Sequence, residues 1–145
     1  MVKTSAGIAI IYKHKILLAH PTRGSWKNRF TPPKGGIEEN EEIIDAAVRE
    51  TFEEIGIKVD KTKLKDFVII PYKNPRGAVY KRVYLFPLYI SNLSEINLES
   101  EIVPKEQLQL EEVDYAAFYS VNEYKDLVLP RYNEYLDQLL NLDNE

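Results

Sequence analysis

Glu50, Glu53 and Glu54 are spaced so that their carboxylates fall on one side of an α-helix, within about one turn. Like charges three or four residues apart destabilise a helix unless a cation lies between them. The chain has no cysteine and only two histidines, His14 and His20, so a metal ion would be held mainly by oxygen. The spacing therefore predicts a site for a hard divalent cation such as Mg²⁺, Mn²⁺ or Ca²⁺.

The alternative interpretation of this helix is an acidic face that water alone solvates. Solvated helices usually intersperse Lys or Arg among their glutamates, and here only Arg49 does so. Two glycines before the helix and the adjacent pair of glutamates before Gly56 also favour the metal site. A second arc of the helix carries the residues expected to pack on a sheet, which are Ile44, Val48, Thr51 and Ile55.

The spacing over residues 35–57 resembles the Nudix box, GX5EX7REUXEEXGU, in which U is an aliphatic residue. Every glycine and charged position of the box is matched. The departure is Thr51 at an aliphatic position, where its methyl group can still pack. The resemblance covers about a sixth of the chain directly, and the predicted order of strands and helices extends it to most of the rest.

The resemblance implies hydrolysis of a nucleoside diphosphate linked to another group, X. Glu50, Glu53 and Glu54 would bind Mg²⁺ or Mn²⁺, with Gly35 in the same metal site, and Arg49 would orient the carboxylates. Gly35 and Gly56 would permit the bends at the two ends of the helix. Glu41 would be structural or a partner for Arg49.

The general base of this reaction has two candidates. Divalent cations would neutralise the developing charge and help to deprotonate an attacking water. In the Nudix family the base is a box glutamate or a glutamate on a later loop. The later candidate in this chain is Glu112, with Glu111 as a substitute, and the alternative for both is a solvated loop position.

The residues next to the box resemble the animal and archaeal type of diadenosine tetraphosphate (Ap4A) hydrolase, in which W-T-P-P-K-G precedes the box. This chain has F-T-P-P-K-G, with Phe30 in place of the tryptophan. By that match Lys34 and Lys81 would contact the polyphosphate. Arg82 alternates to the other side of its strand, so at most one of Lys81 and Arg82 is expected to point into the site.

Aromatic and basic residues supply further candidates for substrate binding. Trp26, Tyr72, Tyr80 and Tyr84 could stack on adenine, although tyrosines in strands more often pack in the core. Arg23, Lys27 and Arg29 surround Trp26 in sequence and could attract an anion, or belong to a solvated loop. Pro71 resembles a feature of ADP-ribose pyrophosphatases and the adjacent Tyr72 one of dinucleoside polyphosphate hydrolases, so the pair leaves X open.

Composition limits the classes of function that the chain can have. It has 145 residues, of which 44% are hydrophobic and 29% charged, as is typical of a soluble globular protein. We expect one domain over residues 1–145, without a signal peptide or membrane span, in the cytoplasm, and a monomer or homodimer. The net charge of −4 argues against duplex nucleic acid as a partner but leaves room for a local basic pocket. The resemblance implies a small-molecule nucleotide substrate.

The pattern of the chain predicts an α/β fold. Residues 6–12 and 15–20 predict an antiparallel hairpin that turns at Lys13 and His14. Loops are expected over 20–30 and 31–36, then a helix from about Glu41 to Ile55 with Asn40 as its N-cap. Strands are expected over 66–72, 78–90 and 115–121, with an edge or bulge at Pro87, and a last helix from about Pro130. These elements predict an α/β sandwich in which helices cover a mixed sheet. The resemblance implies the Nudix fold, an α/β/α sandwich with a central acidic helix and a C-terminal helix.

Other functions remain open from the sequence. They are a pyrophosphatase for ADP-ribose, or a broad-range one for nucleotide sugars and FAD, an RNA 5′-end pyrophosphohydrolase, and a non-catalytic module that binds a nucleotide without hydrolysing it. An RNA enzyme would need an extended basic groove, which this acidic chain shows only in patches. A binding module would be expected to lose box glutamates, whereas all three are present here.

Overall fold

The computed structural model describes residues 2–25 and 29–142. Its strands are β1 (Lys3–Tyr12), β2 (Lys15–Pro21), β3 (Lys34–Gly36), β4 (Val68–Lys73), β5 (Val79–Ile90) and β6 (Val113–Tyr119). Its helices are α1 (Ile43–Ile55), α2 (Val121–Tyr124) and α3 (Pro130–Asn141). Short 3₁₀ turns at Lys61–Lys63, Leu93–Ile96 and Lys105–Gln107 lie in the connections. No helix in the described part of the chain is long and apolar enough to cross a membrane.

The six strands form one mixed sheet in the order β4-β5-β1-β2-β6, and β3 pairs with β1 beside this path. Among the strand pairs of the described residues, β1 and β5 run parallel, and the other four pairs are antiparallel. The predicted hairpin of β1 and β2 is confirmed. Its two turn residues, Lys13 and His14, have φ values of 47° and 63°, the positive values that a tight hairpin turn requires.

Two apolar cores lie on opposite faces of the sheet and confirm the α/β/α arrangement. Alternate residues of β1, such as Ile8 and Ile10, pack with α1, whereas Ala9 and Ile11 pack with α3. A strand places successive side chains on opposite faces, so both cores can draw on the same strand. We refer to these faces as the α1 face and the α3 face.

The start of α1 differs from the sequence prediction. The helix begins at Ile43 with Glu42 as its N-cap, not near Glu41 with Asn40 as the cap. Asn40 instead adopts a left-handed conformation, with φ of 62°, in the turn before the helix. The Glu41 carboxylate is engaged by the backbone N–H of Glu38 and by Arg49, which keeps residues 38–41 outside the helix. The end of the helix was predicted correctly, since Gly56 is its left-handed C-cap.

The segment predicted as a loop over residues 31–36 ends in a strand. Lys34–Gly36 pairs with Ser5–Gly7 of β1, and Gly7 permits this pairing because a Cβ there would lie 2.3 Å from the carbonyl oxygen of Pro33. Alternation along β3 sends the Lys34 side chain towards the α3 face and turns Gly35 towards α1. Strand β2 extends one residue beyond its predicted end at His20, to Pro21, where a loop was expected.

Pro87 lies at a local edge, as predicted. Strand β4 pairs with residues 79–85 of β5, so its pairing stops before Pro87. Its carbonyl oxygen accepts a hydrogen bond from the backbone N–H of Lys65. Proline has no backbone N–H to donate, but at this position no hydrogen bond between β4 and β5 is lost.

Candidate active site

Arg49 is the centre of an ionic network on the outer side of α1. Its guanidinium donates two hydrogen bonds to Glu41, each of 2.9 Å, and further bonds to Glu50 at 2.8 Å and Glu53 at 3.1 Å. The Gly36 carbonyl oxygen accepts another at 2.9 Å. These contacts raise the pKa of Arg49 further above its usual value, chiefly through Glu41. A single side chain thus fixes the loop before α1 and two carboxylates on the helix.

Gly35 is needed because the Glu50 carboxylate occupies the space of a side chain. A Cβ at this position would lie 1.8 Å from Oε2 of Glu50, so the Glu50 carboxylate would have to leave its position. By contrast, a Cβ on the adjacent Gly36 would meet nothing within 4 Å. The first glycine of the motif is therefore fixed by direct contact between β3 and a carboxylate of α1.

The carboxylates of Glu50 and Glu54 lie in an environment that disfavours negative charge. Burial raises the pKa of Glu50, although the hydrogen bond from Arg49 lowers it in part. Burial also raises the pKa of Glu54 to about 7, opposed by a hydrogen bond of 3.3 Å from the Lys34 backbone N–H. The charge of Glu50 adds to the raised pKa of Glu54, and the charge of Glu53 adds to that of Glu50, so the carboxylates lie close enough to repel one another.

A divalent cation fits this group of carboxylates chemically. All of the donors are carboxylate oxygens, and their mutual repulsion and burial would be relieved by a bound positive charge. In residues 2–25 and 29–142 no three acidic or histidine side chains stand close enough to hold an ion without adjusting. Arg49 binds an oxygen of both Glu50 and Glu53, so these two would turn from the guanidinium towards a metal.

The loop before β6 brings Glu112 towards the same carboxylates. It is fastened to the end of α1, because the Gln109 backbone N–H donates to the Glu54 carbonyl oxygen and the Gln107 side chain donates to that of Ile55. The Glu112 carboxylate is exposed, yet close enough to raise the pKa of both Glu50 and Glu54. Glu111 is exposed as well and has no such effect on the box.

A cavity of about 290 Å³ lies on the α3 face beside β3. It is lined by Arg29, Lys34, Lys81 and Tyr72, together with Pro21, Thr31 and Leu129, and we call it the cationic cavity. Three of these side chains carry positive charge, and none of the described residues lining it is acidic. Burial and the neighbouring Lys34 lower the pKa of Lys81 to about 8. This concentration of charge in a chain of net charge −4 is suited to an anion.

Residues 1–139 match the protein-family model described as the NUDIX domain. The chain belongs to the Nudix family. A curated relative, the chloroplastic Nudix hydrolase 21 of Arabidopsis thaliana, is 37% identical over 82 residues, which are 55% of this chain. The chain spans only 39% of the length of that relative.

Solved structures of other Nudix proteins share the fold of this one. An Ap4A hydrolase from C. elegans aligns with a TM-score of 0.63 and 22% identity over 97% of this chain and 93% of its own. A bifunctional NMN adenylyltransferase/ADP ribose pyrophosphatase from Francisella tularensis aligns with a TM-score of 0.70 and 16% identity. That alignment covers 99% of this chain and 42% of the other. At these identities the likeness concerns the fold.

This Nudix domain brings some of the predicted substrate residues together and separates others. Lys34, Lys81 and Tyr72 share the cationic cavity. Tyr84 lies on the α1 face, where its ring packs edge-on against Phe67 at 5.0 Å. The prediction for Trp26 lies outside the described residues.

Tyr72 is more enclosed than a base-stacking residue would be. Only 8% of it is exposed, and its hydroxyl group is hydrogen bonded to that of Tyr132 at 2.5 Å. The ring also makes cation–π contacts with Lys81 and Arg131. Little of its face is therefore open to a nucleobase.

The sequence analysis of this Nudix domain missed Arg131. It lies in the first turn of α3, and its guanidinium carbon is 4.3 Å from the centre of the Tyr72 ring. Tyr132, Leu136 and Leu139 lie at helical spacing and are buried, but this spacing gives no reason to single out the neighbouring arginine. The contact depends on the packing of α3 against β4, which the sequence alone does not fix.

Another cavity of this Nudix domain, about 670 Å³, is larger than the cationic cavity. Its lining includes Leu64, Pro87, Tyr89 and Leu142 and none of the box glutamates. Volume alone would therefore point away from the box. The contact between Lys34 and Glu54 identifies the smaller cationic cavity as the one adjoining the box carboxylates.

Proposed function

We propose that this Nudix domain, acting as one unit over residues 1–145, hydrolyses a pyrophosphate bond in a nucleoside diphosphate linked to X. The preferred substrate is Ap4A, cleaved asymmetrically to ATP and AMP. The observation that carries the proposal is the position of Lys34, whose backbone N–H binds Glu54 while its side chain lines the cationic cavity. One polyphosphate chain could therefore contact the box and the cavity together, and its charge suits a cavity with three cationic residues.

The metal site of the proposed enzyme would consist of Glu50, Glu53 and Glu54. A bound Mg²⁺ or Mn²⁺ neutralises charge on phosphate oxygens and makes an attacking water more acidic. The chain contributes by fixing its own groups. Arg49 orients Glu50 and Glu53, and the Gly35 backbone leaves room for the Glu50 carboxylate.

Glu112 is our candidate for the group that accepts the proton of the attacking water at a carboxylate oxygen. Its loop is fastened to the end of α1, and the side chain is exposed and faces the charge of the box. Lys34 and Lys81 would bind phosphate oxygens on the other side of β3. A box glutamate is the alternative base.

A second candidate substrate is ADP-ribose. Pro71 lies in β4 immediately before Tyr72, the feature that resembles ADP-ribose pyrophosphatases. ADP-ribose has only two phosphates, so it would leave part of the cationic cavity without a phosphate partner. We therefore rank it second.

The test is product analysis by chromatography after incubation with Mg²⁺ and each of Ap4A, ADP-ribose, FAD, deoxynucleoside triphosphates and 5′-triphosphorylated RNA. ATP plus AMP from Ap4A, formed faster than the products of the other substrates, would support the proposal. Faster cleavage of ADP-ribose would support hydrolysis of a pyrophosphate bond but would reject Ap4A as the preferred substrate. Absence of cleavage with either Mg²⁺ or Mn²⁺ would leave a nucleotide-binding module as the function.

A further inference from the structure

Thr22 binds two carbonyl oxygens of the loop before β6, which carries Glu112. Its hydroxyl group donates a hydrogen bond of 2.7 Å to the carbonyl oxygen of Leu110, and its backbone N–H donates one of 2.9 Å to that of Glu112 itself. Thr22 is the first residue after β2, so these bonds join the end of one strand to the segment that enters the neighbouring strand. The loop is therefore attached on this side as well as to the end of α1.

A β-bulge in β6 places Glu112 opposite Thr22. The pairing of β2 with β6 is regular up to His20 and then shifts by one residue, which leaves Asp114 as the extra residue. A hydrogen bond of 2.7 Å between Nδ1 of His20 and the Asp114 carboxylate holds this extra residue in place. In the unshifted register Thr22 would lie opposite Val113, whereas its backbone bond to Glu112 follows the shifted one. Bulges beside active sites redirect side chains in this way.

The two attachments hold different ends of the loop before β6. Those to α1 are made by Gln107 and Gln109, at least three residues before Glu112. Within residues 2–25 and 29–142, the hydrogen bonds that reach residues 110–112 from outside the loop both come from Thr22. The end of the loop that carries the candidate base is therefore held by Thr22.

The turn that contains Thr22 also borders the cationic cavity. The Gly24 backbone N–H donates a hydrogen bond of 3.0 Å to the carbonyl oxygen of Pro21, which closes the turn. Pro21 and Arg29 both line the cavity. A Cβ on Gly24 would lie 3.0 Å from Nε of Arg29, so the arginine packs against the turn. Thr22 therefore connects the wall of the cavity with the loop of the candidate base.

We propose that Thr22 is a positioning residue, which holds the Glu112 carboxylate where it can accept a proton from the water that attacks a polyphosphate in the cationic cavity. In this role Thr22 acts through Glu112 and needs no contact with the substrate. A base must lie within hydrogen-bond reach of the proton that it accepts, so a looser loop lowers the rate without weakening substrate binding. The inference rests on the proposed function and on Glu112 as the base.

Steady-state kinetics with Ap4A tests the role of the Thr22 hydroxyl group. Thr22→Val keeps the branched shape and the backbone N–H, and we expect kcat to fall about three- to tenfold, since one neutral hydrogen bond is lost. KM should stay within about twofold of the wild type. Thr22→Ser retains the hydroxyl group and should keep kcat within about twofold. Thr62→Val is the matched control, because the Thr62 hydroxyl also donates a bond of 2.7 Å, to Asp60, in a 3₁₀ turn outside the site. It should leave kcat unchanged.

A double-mutant cycle with Glu112→Gln separates positioning of the base from a general loss of structure. In the Glu112→Gln background, adding Thr22→Val should change the remaining rate by less than about twofold, because both substitutions act on the same step. Equal losses in the two backgrounds, or full activity of Thr22→Val, would overturn the inference. Thermal melting establishes that each variant is folded. Thr22→Ala removes the same hydroxyl group and replaces Thr22→Val if that variant does not fold.

Amide hydrogen exchange tests the attachment of the loop without turnover. Thr22→Val should speed exchange of the Glu112 and Val113 amides, which donate to the carbonyl oxygen of Gln109 and close the loop. Unchanged exchange would overturn the inference. If Glu112→Gln lowers kcat about a hundredfold and Thr22→Val does not alter it, the role of Thr22 is wrong and the proposed function stands. If the wild type cleaves no nucleotide, the proposed function fails, and the role of Thr22 in the reaction fails with it.

Discussion

The backbone N–H of Lys34 donates a hydrogen bond of 3.3 Å to Oε1 of Glu54, while the Lys34 side chain lies on the other face of the sheet. Lys34 thus contacts both halves of the candidate site, which are the carboxylates of α1 and the cationic cavity. Its main chain holds a carboxylate of the acidic helix, and its ammonium group lines the cationic cavity. The two halves are therefore fixed relative to each other by a strand of only three residues.

The box glutamates are expected to be essential for turnover but not for folding. Glu53→Gln or Glu54→Gln should lower kcat about a hundredfold or more, because either change removes a proposed metal ligand and, with it, several kcal/mol of transition-state stabilisation. Circular dichroism and thermal melting should stay close to wild type. Glu39→Gln is the control, since Glu39 is exposed and outside the motif positions. Near wild-type activity in either box variant would contradict the metal site.

Adjacent glycines before α1 should respond differently to the same substitution. Gly35→Ala would place a methyl group 1.8 Å from the Glu50 carboxylate, displacing a proposed metal ligand, whereas Gly36→Ala meets nothing within 4 Å. We expect Gly35→Ala to lose most of its Mn²⁺ affinity and activity, and Gly36→Ala to keep both. Titration with Mn²⁺, followed by electron paramagnetic resonance, measures the affinity without turnover. Equal affinities for the two variants would show that the contact is unimportant.

Substrate affinity should fall as pH rises through about 8. The pKa of Lys81 is about 8, lowered by burial and by Lys34, so its side chain is charged below this pH and neutral above it. An anionic substrate binds the charged form, and KM should therefore increase between about pH 7.5 and 9.5. Lys81→Arg stays charged over this range and should show a flatter profile. The same rise in KM in both proteins would exclude Lys81 as its cause.

The two glutamates of the loop before β6 offer a matched pair for the general base. Glu112→Gln should reduce kcat about a hundredfold, within the range typical of general-base catalysis, while Glu111→Gln should change it less than twofold. Single-turnover rates should be measured from about pH 5 to 9. The fall in rate on protonation of an acidic group should disappear in Glu112→Gln and remain in Glu111→Gln. Full activity of that variant would assign the role to a box glutamate instead.

Gly56 should be more sensitive to substitution than another glycine of similar backbone conformation. Gly56 and Gly77 have φ values of 69° and 85°, so alanine at either position should cost about 1–2 kcal/mol through backbone strain. A Cβ on Gly56 would also lie 2.8 Å from Cβ of Gln107, whereas one on Gly77 meets nothing within 4 Å. Denaturation by urea should show the larger loss of unfolding free energy for Gly56→Ala. Equal losses would mean that the Gln107 loop moves aside freely.

The sequence predicted the elements that follow from local periodicity. The hairpin at Lys13 and His14, the end of α1 at Gly56 and the last helix from Pro130 all follow from turn chemistry or apolar spacing. The motif spacing also identified the carboxylates that Arg49 holds together. These features depend on residues that are close in the chain.

Features that depend on distant contacts could not be predicted in the same way. Strand β3 can pair with β1 because Gly7 has no side chain, which leaves room for the backbone of Pro33. Asn40 does not cap α1 because Arg49 binds the Glu41 carboxylate and holds Glu41 outside the helix. The enclosed position of Tyr72 depends on Tyr132 and Arg131, about sixty residues away. Pairings at such separations are selected by packing, for which local patterns carry no signal.

Strand β3 makes the candidate site sensitive to a change in the length of this region. Because side chains alternate along the strand, the Lys34 side chain points to one face of the sheet, and Gly35 contacts the Glu50 carboxylate on the other. Inserting or deleting one residue between Pro33 and Gly35 would exchange the faces, because a strand repeats every two residues. The lysine would then point at α1, and the cationic cavity would lose its link to the acidic helix. Natural relatives that retain both parts of the site should therefore keep the same number of residues here.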